Sequence, residues 1–490
     1  MSENEKAPEL GDMSAADFRR FGHEVIDRVA DYLERVGSLP VLAQVGPNEL
    51  ASRLPPSPPA AGEAMEEILA DVDRLIVPAL THWNHPSFFA YFATSASAPG
   101  ILGELFTAAF DVKAMLWRTS PAAIELEQVA LDWLRQMMGL DAGVDGIIYD
   151  TASVASMHAI AAAREDLNLR IREDGMSGRG DLPLLRLYVS EQAHSSIEKG
   201  ALTLGLGQRS VRQIPVDPEF RMDARALSRA IEEDRRAGFL PFCAVATVGT
   251  TSTSSIDPVP EIADICAREK IWLHVDAAYA GSAAILPEMR HVLAGSERAD
   301  SLVTNPHKWL FTPFDLSVLF SRRMDVLRRA FSLVPEYLKT SEAETVRNGM
   351  DYGIQLGRRF RALKLWMIIR YFGHDGLAAR IREHCRLARL FASWVEESPD
   401  WELLAPVPFG LVCFRARPDA RRETDAARLD SLNEALMNNV NAAGEIFLSH
   451  TRLNNLFTLR LAVGNIRTTE AHVRRAWELL NEELARLVAE

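Results

Sequence analysis

Short, nearly continuous apolar runs alternate with helical segments through the middle of the 490-residue chain, and this alternation constrains the fold more than any other feature. Runs of this kind are typical of strands that are buried on both faces of a sheet. Helical segments such as 224–237 and 259–270 separate several of them. The pattern therefore predicts an α/β fold with a mainly parallel sheet, covered by helices on both sides. The predicted strands are 146–149, 185–189, 243–248, 271–275, 302–303 and 316–320.

The segment before this region is helical rather than alternating. Apolar positions recur at helical spacing between Ser14 and Leu33, which predicts an amphipathic helix. Four prolines within 55–59 form a stiff connector, and a second helix is predicted over 63–80. Aromatic residues are dense in 81–99, where they form either core packing under a loop or the wall of a ligand site.

After the last predicted strand, the periodicity weakens and then returns. Residues 325–350 show little periodicity, which is typical of a functional loop, and 357–373 predicts a strong helix. Long helices and two strand candidates, 410–414 and 457–462, then predict a small α+β domain. The expected domains are an N-terminal helical segment over 1–97, a large domain over 98–372 and a small C-terminal domain over 373–490.

The composition argues against several classes of function. A net charge of −13 without any basic run argues against binding of nucleic acid through its phosphates. The four cysteines lie far apart, which excludes a disulfide framework and a zinc site built on closely spaced cysteines. The N-terminus lacks the apolar core of a secretory signal, and no apolar stretch reaches membrane-spanning length. We therefore expect a cytoplasmic protein that holds no metal and binds neither nucleic acid nor membrane.

Four groups of polar residues follow predicted strands, at the sheet edge where open α/β folds bind ligands. Lys308 lies between a histidine and a tryptophan in a largely apolar neighbourhood, where desolvation would lower its pKa and make it a nucleophile. Asp276 ends another strand, where a buried carboxylate needs a charged partner or a donor. His194 follows a third strand, and Ser153 opens an alanine-rich helix whose N-terminus suits a phosphate.

Each of these residues also has an ordinary explanation. A lone lysine most often lies at the surface with its stem partly buried, a lone histidine can cap the next helix, and Ser153 or Thr151 can be a simple N-cap. Together, however, they supply an amine, a carboxylate, an imidazole and an anion cradle on one edge of one sheet. Pyridoxal 5'-phosphate needs this set: a lysine for the Schiff base, an acid for the pyridine nitrogen, a stacking face and a phosphate pocket.

Five motifs make the chain similar to a known family. They are NPHKW around Lys308, HVDAAYAGS around Asp276, QAHSS around His194, THW…FFAYF near Trp83 and LGRRFRALKLW around Gly357. From Phe18 to Leu479 the chain resembles the group II pyridoxal-phosphate decarboxylases, in the branch of the aromatic-L-amino-acid decarboxylases. The resemblance implies a type I (aspartate-aminotransferase-like) fold with a seven-stranded sheet. It also implies an obligate homodimer, with the N-terminal segment wrapped onto the partner and the active site at the subunit interface.

The resemblance implies a role for each residue that matches a family motif. Lys308 would form the Schiff base, Asp276 would pair with the pyridinium nitrogen, and His194 would stack on the ring. Tyr337 would protonate the α-carbon after carbon dioxide leaves. The phosphate and the rest of the cofactor would be held by Ala152, Ser153, Thr251, Ala278, Asn305 and His307. The substrate pocket would be lined by Trp83, Tyr91, Phe92, Thr94, Leu116 and Gly357.

Two residues bear on the type of reaction. The decarboxylases of this family carry histidine and tyrosine at the positions of His194 and Tyr337, whereas the related aldehyde synthases replace one of them. Because both are present, we expect decarboxylation of an aromatic L-amino acid to its amine and carbon dioxide. The alternatives are an aromatic aldehyde synthase, which couples decarboxylation to oxidative deamination, and an inactive homologue that acts as a structural dimer.

Three positions bear on the choice of substrate, and two of them depart from the family. Ala93 stands where animal members usually have proline, and Leu116 stands where the wall contributed by the partner is usually phenylalanine. Gly357 matches the plant members that prefer indoles, which favours tryptophan. Phenylalanine, tyrosine and dihydroxyphenylalanine are the alternative substrates.

Overall fold

The computed structural model describes residues 11–333, 345–418 and 425–489, so Tyr337 lies outside the described residues. The strands of its large sheet are β1 (Asp145–Tyr149), β2 (Leu184–Ser190), β3 (Val211–Ile214), β4 (Phe239–Thr247), β5 (Trp272–Asp276), β6 (Ser301–Thr304) and β7 (Ser317–Ser321). Their spatial order is β1-β7-β6-β5-β4-β2-β3. The pairings from β3 to β6 are parallel, and β7 is antiparallel to both of its neighbours. The mainly parallel, seven-stranded sheet is confirmed.

All six strands predicted from the apolar runs overlap strands of this sheet. The pattern does not indicate β3, because its sequence VRQI mixes polar with apolar residues and only Ile214 is fully buried. β3 lies at the edge of the sheet, where a strand is not enclosed on all sides. Continuous apolar runs therefore locate the central strands of this fold but not its exposed edge.

Helices cover the sheet and extend beyond it at both ends of the chain. Within the described ranges, no helix combines the length and the apolar character needed to cross a membrane. The helices are α1 (Ala15–Arg35), α2 (Glu49–Arg53), α3 (Met65–Asp71), α4 (Ala98–Phe110), α5 (Pro121–Met138), α6 (Ala152–Glu165), α7 (Ile171–Asp174), α8 (Ser196–Thr203), α9 (Ala224–Arg236), α10 (Val259–Glu269), α11 (Pro306–Trp309), α12 (Met324–Phe331), α13 (Ala362–Glu397), α14 (Ala426–Ala442) and α15 (Glu470–Ala489).

Two predicted segments differ from the structure. The loop predicted over 325–350 contains α12 at one end and a 3-10 turn over Gly349–Tyr352 at the other. An eight-residue helix makes barely two turns, too few for a clear periodicity. The helix predicted over 357–373 begins only at Ala362, and it continues to Glu397 past an interruption at Gly373, where φ is 65°.

Two hydrophobic cores lie on opposite faces of the large sheet. Ile148 of β1 packs in one core, while its neighbours Ile147 and Tyr149 pack in the other, because successive side chains of a strand point to opposite faces. Leu131 of α5 belongs to the first core, and Ile160 of α6 belongs to the second. The sheet is therefore buried on both faces, as its apolar strands require.

A second, antiparallel sheet lies near the C-terminus. Its strands, in the order β10-β11-β9-β8, are β8 (Trp401–Leu403), β9 (Leu411–Ala416), β10 (Ser449–Leu453) and β11 (Leu456–Ala462). Both predicted strand candidates are present as β9 and β11. The sequence SHTRL of β10 is mainly polar, so the search for apolar runs does not predict this strand. The division into three domains, at residues 97 and 372, stays a prediction.

Candidate active site

The carboxyl ends of β2, β4, β5 and β6 and the N-terminus of α6 surround a cavity of about 180 Å³. The strands are parallel, so their carboxyl ends meet at one edge of the sheet. All nine residues predicted to bind the cofactor line this cavity: Ala152, Ser153, His194, Thr251, Asp276, Ala278, Asn305, His307 and Lys308.

Lys308 lies in the one-turn helix α11, which follows β6. Its backbone N–H donates to Asn305 O at 2.9 Å, and its Nζ lies 5.5 Å from the centre of the Phe92 ring. Burial lowers the pKa of Lys308, and the carboxylate of Asp276 opposes this effect. A lowered pKa increases the fraction of uncharged amine, which is the form that attacks a carbonyl carbon.

Asp276 ends β5, with its side chain buried in the wall of the cavity. Its Oδ1 accepts a hydrogen bond from Ala278 N at 3.1 Å. Thr247 is its register partner on β4, and Thr247 Oγ1 is buried without a hydrogen-bond partner in the described ranges. A buried carboxylate has about four acceptor positions, so Asp276 retains the capacity to accept from a cationic N–H inside the cavity.

His194 follows β2 and borders the same cavity. Its Nδ1 accepts from Ser196 N at 3.2 Å and lies 2.8 Å from Ser196 Oγ, so a neutral ring carries its proton on Nε2. Burial lowers the pKa of His194, the nearby Lys308 lowers it further, and Asp276 opposes both. The result is an oriented, uncharged imidazole whose flat face can stack on an aromatic ring.

The N-terminus of α6 opens onto the cavity. Thr151 is the N-cap of this helix but makes no side-chain capping bond, so the N–H groups of Ala152 and Ser153 are free to bind an anion. His307 lines the cavity as well, and its Nδ1 accepts from Leu316 N at 2.9 Å. Burial lowers the pKa of His307 to about 3, which leaves Nε2–H as an uncharged donor.

These groups fit pyridoxal 5'-phosphate. A desolvated amine, a carboxylate with spare acceptor capacity and the N-terminus of a helix border one cavity. They match the aldehyde, the ring nitrogen and the phosphate of the cofactor, respectively. The buried hydroxyl of Thr247, which finds no partner in the described ranges, adds one more polar atom beside Asp276.

The residues predicted to contact the substrate are not gathered in the same way. Phe92 borders the cavity, and its ring stacks on Tyr279 at 3.8 Å between centroids. The other five lie outside the cavity lining: Trp83, Tyr91, Thr94, Leu116 and Gly357. Tyr337 is outside the described residues.

The five outlying residues occupy different environments. Trp83 and Tyr91 stack on one another at 5.9 Å, and they are 40% and 53% exposed. Leu116 is buried against Met350. Gly357 is exposed, and a Cβ at its position would meet no atom of the described residues within 4 Å. Among the residues that the structure describes, therefore, Phe92 is the one predicted substrate residue that borders the cavity.

Several residues of the site were not predicted from the sequence. Thr247 and Tyr279 could have been found from the sequence, because Thr247 ends an apolar strand and Tyr279 lies in the HVDAAYAGS motif. The full set is Thr151, Ser196, Thr247, Gly249 and Tyr279. A further residue, Arg460 of β11, donates to Thr251 O at 2.7 Å and ties the small sheet to the cavity loop. No local pattern marks Arg460, since its contact spans 209 residues of chain.

Comparison with known proteins identifies relatives over nearly the whole chain. Residues 47–417 match the pyridoxal-dependent decarboxylase conserved domain. The aromatic-L-amino-acid decarboxylase of Sus scrofa is 42% identical, covering 97% of this chain and 98% of that protein. The phenylacetaldehyde synthase of Arabidopsis thaliana is 38% identical, covering 99% of each.

The fold gives the same result. The crystal structure of Oryza sativa TDC with PLP and tryptamine superimposes with a TM-score of 0.93 at 37% identity, covering 98% of this chain and 99% of that one. The type I fold implied by the motifs is thus confirmed, and pyridoxal 5'-phosphate is the cofactor. The chain belongs to the pyridoxal-dependent decarboxylase family.

Proposed function

We propose that this protein decarboxylates aromatic L-amino acids to the corresponding amines and carbon dioxide. The observation that carries the proposal is the single cavity in which Lys308, Asp276, His194 and the N-terminus of α6 meet. Its support is the similarity to relatives named aromatic-L-amino-acid decarboxylase and to a structure containing tryptamine. Tryptophan is the first substrate to test, with phenylalanine, tyrosine and dihydroxyphenylalanine beside it.

Each cavity residue has a distinct task in this proposal. When bound, pyridoxal 5'-phosphate supplies an electron sink for the pair released from the Cα–carboxylate bond. Lys308 would hold the cofactor through its amine, and Asp276 would keep a proton at the ring nitrogen. His194 would stack on the ring and fix its orientation. Ala152 and Ser153 would bind the phosphate through their N–H groups.

The remaining step adds a proton to carbon. The bond between Cα and the carboxylate breaks, carbon dioxide leaves, and the electron pair that remains needs a proton at Cα to give the amine. We assign that proton to the hydroxyl of Tyr337, on the basis of the family motif alone. If the proton is delivered at Cα, the electron pair is used before it can react with oxygen. The product is then the amine and not the aldehyde.

The substrate wall is completed, in our proposal, by a second copy of the chain. α4 exposes Leu102, Leu105, Phe106 and Phe110, and beside it a groove of about 450 Å³ is lined by α4 and α13. Exposed apolar surface of this extent is typical of an interaction site. A homodimer with its active site at the interface would cover this face and bring the partner's residues to the substrate side of the cavity. The cytoplasmic location stays a prediction from the sequence.

Product analysis over a panel of aromatic L-amino acids tests the proposed reaction. The purified protein, loaded with pyridoxal 5'-phosphate, is expected to form one amine and one carbon dioxide per substrate consumed. An aldehyde synthase, the second candidate because such a protein is among the relatives, would instead consume oxygen and form aldehyde, ammonia and peroxide. Aldehyde as the dominant product would replace the main proposal by this one.

Substitution of Tyr337 by Phe tests the assignment of the proton donor. The variant lacks the phenolic proton but keeps the ring, so we expect amine formation to fall by about a hundredfold, in the range for loss of a general acid. Aldehyde is expected to appear in its place, while cofactor absorbance is unchanged. Unchanged formation of amine would remove Tyr337 from the mechanism.

A further inference from the structure

A chain of buried hydrogen bonds leads away from the turn that carries Lys308. Trp309 Nε1 donates to His384 Nδ1 at 3.0 Å, and His384 Nε2 lies 3.0 Å from Asn465 O. Asn465 Nδ2 donates to two carbonyl oxygens, those of Trp83 and His85, both at 3.1 Å. The chain of bonds thus joins α11, α13, the segment after β11 and the segment that carries Trp83.

The direction of every bond in this chain is determined. An indole nitrogen can only donate, so His384 Nδ1 accepts, and a neutral His384 carries its proton on Nε2. Nε2 therefore donates to Asn465 O. Burial lowers the pKa of His384 to about 4, which keeps the ring neutral and this arrangement intact. Asn465 is fully buried, and its Oδ1 accepts from Arg467 N at 2.9 Å.

A second set of contacts connects the same residues through their rings. Trp309 stacks on Tyr279 at 4.7 Å, and Tyr279 stacks on Phe92 at 3.8 Å. Phe92 borders the cavity below Lys308 Nζ. Trp309 is therefore linked indirectly to the substrate side of the site by two routes. Its ring is connected to Phe92 through Tyr279, and its N–H is connected to the Trp83 backbone through His384 and Asn465.

We propose that Trp309, His384 and Asn465 form a relay that sets the position of Trp83 relative to Lys308, and that Asn465 is a positioning residue for the aromatic side chain of the substrate. The inference rests on the proposed function, because it takes Trp83 and Phe92 as parts of the substrate wall. The Trp83 N–H also donates to Thr81 O at 3.1 Å, and the Trp83 ring stacks on Phe88 at 4.4 Å. The bonds from Asn465 link this local arrangement to the turn that carries Lys308. A shift of about 1 Å near a reacting group lowers rates strongly. Asn465 holds the backbone of this segment at two points.

The test replaces Asn465 by Leu, which keeps its size and removes its three hydrogen bonds. Asn433 provides a matched control, because it is equally buried, donates to Ala416 O and Leu429 O, and accepts from Ala416 N. Asn433 lies in the small C-terminal part, away from Trp83. Both variants, as cofactor-loaded protein, are expected to lose thermal stability to a similar degree.

The two variants are expected to differ in their handling of substrate. Asn465→Leu should raise KM for tryptophan about tenfold and weaken tryptamine binding in equilibrium dialysis by a similar factor, with cofactor affinity within about twofold of the parent. Asn433→Leu should leave all three unchanged. Equal effects of the two substitutions on KM, or an unchanged KM in Asn465→Leu, would overturn the proposal.

A second variant covers the case in which Asn465→Leu does not fold. His384→Phe keeps an aromatic ring beside Trp309 but removes both hydrogen bonds, and it should raise KM in the same way; an unchanged KM overturns the proposal. The dialysis measurement separates this inference from the proposed function. If the parent protein binds tryptamine but forms no amine from any substrate, the proposed function fails while the relay is still tested by the loss of binding.

Discussion

The cavity around Lys308 and the wall around Trp83 differ in how completely one chain builds them. All nine residues predicted to hold the cofactor border one cavity, whereas five of the six predicted substrate residues described lie outside it. The first set is placed by the carboxyl ends of parallel strands, which a single sheet brings together. The second set lies in loops, where Trp83, Tyr91 and Gly357 are exposed while Leu116 is buried against Met350. We therefore expect cofactor binding to depend mainly on residues of one chain, and substrate recognition to depend on both chains of a dimer.

Replacement of Lys308 by Ala removes the reactive amine and has the largest expected effect. Amine formation should fall by about a thousandfold or more, because the cofactor loses its covalent attachment and the substrate its point of entry. Borohydride reduction followed by mass measurement should find the cofactor attached to the parent chain and not to the variant. The variant is expected to dimerise normally. A residual rate above a tenth of the parent would contradict the assignment.

Introduction of a charge on α4 tests whether substrate recognition depends on the dimer. In Leu105→Glu, a carboxylate would have to be buried in the proposed interface, which costs several kcal/mol. Sedimentation should show a monomer, and amine formation should fall by about tenfold or more. Cofactor binding should remain, because all nine residues predicted to hold the cofactor line the cavity of one chain.

Leu184→Glu is the control for this experiment. Leu184 is also exposed, but it lies at the start of β2 and outside the α4 face. The control should be a fully active dimer. A monomeric Leu105→Glu protein with full activity would show that one chain completes the substrate site. That result would contradict the dependence of substrate recognition on the dimer.

The inner site could be predicted from the sequence because its residues follow strands. Asp276 comes directly after an apolar run, and Lys308 lies in the turn that follows another. Such runs can be recognised without an alignment. Their convergence follows from the parallel arrangement of the sheet. The roles assigned to them, however, came from the family motifs, since a lone lysine or histidine has an ordinary explanation as well.

The rest could not be predicted because it depends on contacts between distant segments. Asn465 reaches Trp83 across 382 residues, and Arg460 reaches Thr251 across 209. Neither residue belongs to a pattern that local sequence reveals. The edge strand β3 and the short helix α12 were not predicted for a different reason. The sequence of β3 mixes polar with apolar residues, and two helical turns contain too few residues for a clear periodicity.

The titration of His307 provides a smaller test of the inner cavity. Burial lowers its pKa to about 3, whereas a histidine of the unfolded chain titrates near 6.5. Below about pH 6.5 the unfolded chain binds a proton that the folded protein does not, so stability falls as the pH falls towards 3, and above pH 6.5 this contribution is constant. His307→Asn keeps an acceptor for Leu316 N and does not titrate.

Urea unfolding of the cofactor-free protein at pH 7.5 and pH 5 measures the effect. The parent should lose about 1–2 kcal/mol more unfolding free energy between these two values than His307→Asn. Parallel losses in the two proteins would show that His307 becomes protonated in the folded state, and that the cavity is wetter than its burial indicates.

Gly357→Ser has the smallest expected effect and bears most directly on the dimer. In the part of the chain that the structure describes, a Cβ at Gly357 meets no atom within 4 Å, so we expect no steric effect of the substitution on the inner cavity. If Gly357 lies against the partner's substrate site, the added hydroxyl should lower the preference for tryptophan over tyrosine by about threefold, measured as the ratio of kcat/KM values. In the monomeric Leu105→Glu background this ratio should not change. A shift of equal size in both backgrounds would place Gly357 at the site of its own chain instead.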